Sequence, residues 1–212
     1  MGKCKICREK FTPKFSSLEP TCQKDDCRVK WAMEQVEKKK TAQQKKAKQD
    51  WNKEKLEMKE KLKTLSDWKK DLEKEINALV REIDREHGCI ATGDKSGLMT
   101  AGHYGSVSSC PTIRFHLENI WLQSMHSNSW RAGDTIRYQE GIIKTFGKDY
   151  LDYMDSLRNI PPIKLSIEEI KEAIPKARSI LKWIKLQNRK FTTEERIELR
   201  RKFNHDLGIY KN

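Results

Sequence analysis

No stretch of the sequence approaches the about 18 consecutive apolar residues that a membrane-crossing helix needs, which excludes an integral helical membrane protein. A charged-then-apolar leader with a small-residue cleavage site is also missing, so the expectation is a cytoplasmic protein that is not secreted. Between residues 28 and 75 there is neither glycine nor proline; that leaves no turn-forming residue and favours continuous helix. Apolar residues are scarce at 36% and aromatics scarcer at 8%, with a mean hydropathy of −0.88. A chain of 212 residues so composed suits one or two small domains rather than a large enzyme core. Acid is in deficit as well. Against 31 Asp and Glu stand 44 Lys and Arg, giving a net charge of +13. A polyanion is the expected partner, nucleic acid before membrane, although charge alone also fits a merely soluble basic protein.

What is present falls into four segments, and together they describe an α+β chain that is mostly helical. Residues 1–27 hold four of the six cysteines and two prolines. Residues 28–88 form a long charged helical arm, rich in Lys, Glu and Gln. Its first half has no apolar stripe and should be solvated. From Leu62 onward, Leu65, Trp68, Leu72, Ile76, Leu79 and Ile83 recur at steps of three or four and share one helical face. Ser66 is a candidate cap for a break there. Residues 89–134 gather glycines and three of the five histidines. Short extended pieces are expected at 89–93, 98–104 and 113–115, followed by a helix over 119–130. Residues 135–212 return to helical patterning, with capping boxes at Ser166/Glu169 and Thr192/Glu195 and a proline, Pro175, inside the first of those helices. Methionines and aromatics here are read as core.

Cys4 and Cys7 are two residues apart, Cys22 and Cys27 four, with fourteen residues between the pairs. Two thiolate pairs on turns can converge on one tetrahedral zinc, which would supply the folding energy that so small a segment cannot draw from burial. The alternative of two disulfides is disfavoured in a reducing compartment. Four sulfur ligands leave no open position for water, so this zinc is expected to be structural.

The second constellation is His103, Asn119 and Asn128, with fifteen and eight residues between them. Gly102 lets a ligand approach the backbone beside His103. A neutral imidazole at a strand end is a suitable general base near pH 7, and a hard divalent ion on a facing helix would stabilise a leaving oxygen. His126 lies in the same block and is a second candidate ligand; His116 is a weaker one. His87 and His205 read as surface residues near helix ends, Cys110 as a loop thiol, and Trp130 as packing.

The His, Asn, Asn spacing is similar to that of HNH-type nucleases, which share a ββα metal-binding fold. The stretches Ala101-Gly102-His103-Tyr104 and Ile113-Arg114-Phe115-His116-Leu117-Glu118-Asn119-Ile120, with Gln123, Asn128 and Ala132-Gly133-Asp134, resemble the NinG (Rap) recombination proteins of lambda-like phages. The paired cysteines, the Lys/Glu-rich linker and the Asp67-Trp68 helix start resemble the same family. That resemblance implies a structure-specific endonuclease, encoded by a phage or prophage and acting on branched DNA such as Holliday junctions and D-loops in the host cytoplasm. It further implies His103 as the base that activates water, Asn119 as the residue orienting the base's loop, and Asn128 as the final ligand position; a catalytic Mg²⁺ or Mn²⁺ is then expected on Asn128, with His126 as the candidate second ligand. Two departures stand out. Related nucleases hold a second zinc with two further cysteine pairs, where this chain has Cys89, Thr92, Ser124 and Ser127; many also carry an aspartate at the position of Gly102. Hydroxyls are poor zinc ligands, so the second zinc is not expected.

Arg114, Arg131 and Arg137 bracket the block, and Lys95 sits on its hairpin turn; each is a candidate phosphate contact. The lysine-rich arm and the segments 182–190 and 196–202 add a sequence-independent attraction. No helix presents a base-reading set of side chains, so DNA shape is expected to choose the site. Phage recombination proteins and a second copy of the chain are further expected partners. The competing readings are a junction-binding protein without catalysis and a recombinase adaptor that needs neither site.

Overall fold

The computed structural model describes residues 1–16, 18–130 and 134–210. The chain divides into two compact units, Met1–Leu62 and Lys63–Asn212. In the first, two short antiparallel strands, β1 (Gly2–Lys3) and β2 (Lys10–Phe11), pair Gly2 with Phe11 and Lys3 with Lys10. Helix α1 (Asp25–Lys61) follows and runs for 37 residues, about 55 Å at 1.5 Å per residue. Asp25 and Asp26 in its first turn and Lys59 and Lys61 in its last complement the helix dipole. Cys27 is its one buried residue, as the missing apolar stripe predicts.

Leu62 ends α1, and Thr64 caps α2 (Leu65–Ile83), so the unit boundary falls within the 28–88 segment. The cap is Thr64 rather than Ser66: its hydroxyl accepts from the Asp67 N–H while the Asp67 carboxylate accepts from the Thr64 N–H, a reciprocal pair that needs a three-residue spacing. The apolar stripe also starts later than the sequence suggests. Leu62 and Leu65 stay exposed, whereas Trp68, Leu72, Ile76, Leu79, Val80 and Ile83 are buried. Each such side chain contributes about 1.5–3 kcal/mol on leaving water. This face packs on α5 (Ile167–Gln187) through Ile170, Ala173, Ile174, Ala177 and Ile184, and on the sheet that follows. α5 runs unbroken through Pro175, which sits exposed in it.

That second sheet has two antiparallel strands, β3 (Met99–His103) and β4 (Ile120–Ser124), in a register that pairs His103 with Ile120 and Met99 with Ser124. The helix expected over 119–130 is a correction. Residues Leu117–Asn119 make a 3₁₀ turn, β4 follows, and only His126–Trp130 coil, as a π turn. The strand expected at 113–115 is likewise absent; Pro111–Ile113 form a 3₁₀ turn. Ile120, Trp121 and Leu122 are all buried because β4 is covered on both faces, and a doubly covered strand carries no two-residue alternation to distinguish it from buried helix. Under its other side lies a second apolar cluster of Ile90, Tyr104, Trp121, Tyr138, Ile142, Tyr150, Leu151 and Met154. This cluster is built with α3 (Thr135–Phe146) and α4 (Lys148–Ser156), which meet at Gly147 with φ 90°. α6 (Thr193–Leu207) closes the unit. Both expected capping boxes, Ser166/Glu169 and Thr192/Glu195, are formed.

α2, β4 and α6 are joined by a buried charge group. The Asp84 carboxylate accepts from Arg196 Nε at 2.9 Å, from Arg200 Nη2 at 2.7 Å and from the Leu122 N–H at 3.0 Å. Arg200 is fully buried, its guanidinium 3.6 Å from the centre of the Trp121 ring. Two cations read from the sequence as part of a basic segment over 196–202 are therefore core residues. Each finds in Asp84 the compensation that a buried charge requires.

Candidate active site and thiol cluster

The four amino-terminal thiols converge as their spacing predicts. The sulfurs of Cys4, Cys7, Cys22 and Cys27 all lie within 4.8 Å of one another, close enough to hold a metal ion such as zinc. A tetrahedron with bonds of about 2.3 Å has ligand–ligand edges of roughly 3.8 Å, and Cys7 Sγ and Cys22 Sγ are 3.8 Å apart. Backbone bonds hold the frame: the Cys4 N–H donates to Glu9 O, Arg8 N–H to Cys4 O and Lys5 N–H to Pro20 O. Burial works against a Cys4 thiolate, yet the N–H groups of Cys22, Cys7 and Ile6 outweigh it and bring its pKa down to about 6. Cys27 is pushed up to about 12 by burial and by the crowding sulfurs of Cys22, Cys7 and Cys4. Four unpaired sulfurs this close disfavour one another as anions, which a divalent cation at their centre would reverse. Among the described residues, no other group of three or more His, Cys, Asp or Glu side chains comes close enough to share an ion.

His103 ends β3, as expected, and is largely buried. Its Nε2 lies 3.0 Å from the carbonyl oxygen of Arg114. A carbonyl only accepts, so Nε2 carries the proton and Nδ1 is the basic atom. Burial holds the ring's pKa below the ordinary histidine value, against the opposing effects of the Arg114 carbonyl and the Glu73 carboxylate. His103 is thus neutral at physiological pH, the state a general base requires.

Asn119 lies at the end of a 3₁₀ turn rather than the start of a helix, and is almost fully buried. Its Oδ1 accepts from the Gly105 N–H at 2.7 Å, while its Nδ2 donates to Gly105 O and Ile113 O, both at 3.1 Å. One side chain therefore ties the segment after His103 to the turn just before Arg114, whose carbonyl fixes the imidazole. Asn128, on the π turn, donates from Nδ2 to Thr100 Oγ1 at 3.0 Å and reaches Ala101 O at 3.5 Å, so it sits against β3 just upstream of His103. His126 is exposed on the same turn. His116 is not available as a ligand: it is buried under Tyr210 and the Asn204 amide, and burial lowers its pKa to about 4.

Gly102 has a steric cause. A Cβ there would fall 2.0 Å from Gln123 Oε1, and the Gly102 carbonyl accepts from Tyr138 Oη at 3.0 Å. Cys89 and the hydroxyl positions also meet. Burial raises the Cys89 thiol's pKa, but the backbone and hydroxyl groups of Ser124 and Thr92 more than offset this, and the Ser127 N–H donates to Ser124 Oγ at 3.3 Å. The Ser127 hydroxyl itself is buried without a hydrogen-bond partner.

Of the candidate phosphate contacts, Lys95 and Arg137 are exposed, the latter 3.8 Å from Asp134 across one helical turn. Arg131 lies outside the described residues. Arg114 is committed elsewhere: its Nη2 donates to Glu73 Oε2 at 2.5 Å. Glu73, on α2, was not legible as a site residue. It lies thirty positions before His103, on a helix whose other carboxylates look the same, yet its Oε1 stands 3.8 Å from His103 Nε2.

Comparison with known proteins gives one consistent answer. Residues 1–202 match the family model described as Bacteriophage Lambda NinG protein. Among curated proteins, protein ninG of Escherichia phage 933W is 31% identical over 165 residues, covering 74% of this chain and 81% of that protein. Its counterpart in Enterobacteria phage H19B is 32% identical over the same length. Protein ninG of Escherichia phage lambda is 33% identical over 99 residues, 46% of this chain and 48% of that protein. No solved structure gives a match.

Proposed function

Because the chain belongs to the NinG family, matched over residues 1–202, we propose that it is a phage recombination endonuclease that hydrolyses phosphodiesters in branched DNA. The observation that carries this reading is His103: a neutral imidazole at the end of β3, its tautomer set by the Arg114 carbonyl and its loop tied down by Asn119. In the proposed step, His103 Nδ1 takes a proton from water as the water oxygen bonds to phosphorus. The phosphorus–oxygen bond to the departing sugar then breaks, and that oxygen takes up a proton from solvent. Asn128, with His126 on the same turn, is the proposed ligand set for Mg²⁺ or Mn²⁺, which would neutralise charge on the phosphate and its leaving oxygen. The Asn128 amide nitrogen donates to Thr100 Oγ1 of β3, so Oδ1 is the atom proposed to meet the ion. β3 and β4 form an antiparallel pair followed by the His126–Trp130 turn, and the likeness to HNH nucleases in this reading rests on the His103, Asn119 and Asn128 spacing. Zinc on the four thiols is structural in this reading. Lys95, Arg131 and Arg137 are proposed phosphate contacts, and the exposed lysines of α1 a sequence-independent one.

Labelled four-way and three-strand junctions, with and without Mg²⁺ or Mn²⁺, test the proposal beside His103→Ala. Metal-dependent nicking that the variant loses while it still binds supports it. A second reading, junction binding without cleavage, draws on the absence of any carboxylate cluster beside His103 among the described residues able to share an ion. Equal binding with no nicking by either protein in any metal would select that reading.

A further inference from the structure

We propose that Glu73 of α2 is the positioning residue of the His103 base, orienting the imidazole through Arg114 and stabilising the imidazolium that forms when His103 takes a proton. The inference rests on the hydrolytic reading for its catalytic consequence, but its geometry stands independently. Glu73 Oε2 accepts from Arg114 Nη2, and the Arg114 backbone carbonyl receives the Nε2–H of His103 at 3.0 Å. The carboxylate thus fixes the residue whose main chain fixes the ring. Its other oxygen, Oε1, stands 3.8 Å from the same ring nitrogen, where a positive charge on the imidazole would be felt directly. Both carboxylate oxygens are engaged at once, each with one half of the assembly.

Burial sharpens the effect. Side chains of Glu73 and Arg114 are each 20% exposed and that of His103 is 12% exposed, so the three interact largely out of water. The charged groups acting on the ring are Glu73 from α2 and Arg114 from the loop before β4; across the ladder β4 offers the uncharged Ile120. Glu73 favours the protonated ring and the Arg114 guanidinium opposes it. Without Glu73, the ring would face an uncompensated guanidinium and become a weaker base. The carboxylate thus gives His103 a partner of opposite charge only after the proton has moved.

Because Glu73 and Arg114 act on His103 with opposite signs, substitution separates an electrostatic role from a merely structural one. The imidazole carbon-bound proton resonances of His103, assigned by their loss in His103→Ala and followed by NMR from pH 4 to 9 in the full chain, give its titration midpoint without any need for activity. Glu73→Gln is expected to lower that midpoint by about one pH unit, Arg114→Gln to raise it by a similar amount, and Glu75→Gln, whose partner is Arg178, to leave it unchanged. If Mg²⁺-dependent nicking is present, Glu73→Gln should slow it about tenfold or more and move the acidic limb of its pH profile down, with Glu73→Asp restoring part of the rate. An unchanged midpoint in both folded variants, or shifts of the same sign, overturns the proposal. Should Glu73→Gln fail to fold, Arg114→Gln carries the test alone: a raised midpoint supports the pairing and an unchanged one refutes it. Shifted midpoints in a protein that cuts no junction would uphold the pairing and reject the nuclease reading instead.

Discussion

The two units solve the same problem with opposite means. Residues 1–62 contain a 37-residue helix with one buried side chain, and the dense region among their described residues is a knot of four sulfurs. Residues 63–210 bury two apolar clusters, and between them a carboxylate with two arginines. α1 and α2 are both dominated by charged residues, and only three residues separate them. Spacing makes the difference: α2 sets its apolar residues at steps of three and four, whereas α1 scatters them. Composition reports how much a segment can bury, and periodicity reports whether it will.

Four experiments would break or sharpen that contrast. The largest effect is expected in the first unit. Cys22→Ser, or chelation of bound metal, should unfold residues 1–27, since structural zinc contributes on the order of 10 kcal/mol to such knuckles. Metal content and amide hydrogen exchange would show it, with the cooperative unfolding of residues 63–210 unmoved. The converse is Asp84→Asn. It strands two buried guanidinium groups and should cost the second unit about 3–5 kcal/mol in denaturant unfolding, while the bound metal stays.

A smaller effect depends on pH. His116 is held near 4 by burial, below its unfolded value of 6.5. The unfolded chain therefore binds the proton first. The stability is intact above about pH 6.5 and falls as pH drops toward 4, by roughly 3 kcal/mol in all. His116→Gln should flatten that slope, measured by urea midpoints at each pH. Smallest is Thr64→Ala, which removes half of the α2 capping box and should cost about 1 kcal/mol, again without touching metal content.

Those outcomes bear on what a sequence can disclose. The thiol knot was legible because ligand spacing is local, and the Ser166 and Thr192 boxes because three residues suffice to build them. His103 at a strand end was legible too. The stretch 119–130 was not: Ile120, Trp121 and Leu122 face cover on both sides, and only tertiary neighbours decide between strand and helix. Arg196 and Arg200 read as part of a basic surface segment because the carboxylate that compensates them, Asp84, lies more than a hundred positions away. Glu73 escaped notice for the same reason, since nothing about a glutamate in a charged helix announces the imidazole it will meet.

The contact between Gly102 and Gln123 constrains how this site can change over generations. A Cβ at 102 would fall 2.0 Å from Gln123 Oε1 and 3.1 Å from Gln123 Cβ, so a larger residue there obliges the buried Gln123 side chain to move. A shorter side chain at 123 would remove the Oε1 and Cδ contacts while the one to Cβ, at 3.1 Å, stays tight. A change at 102 made first, on the strand that ends in His103, would meet the Gln123 side chain. The order of the two changes therefore matters to β3: position 123 has to give before position 102 can grow.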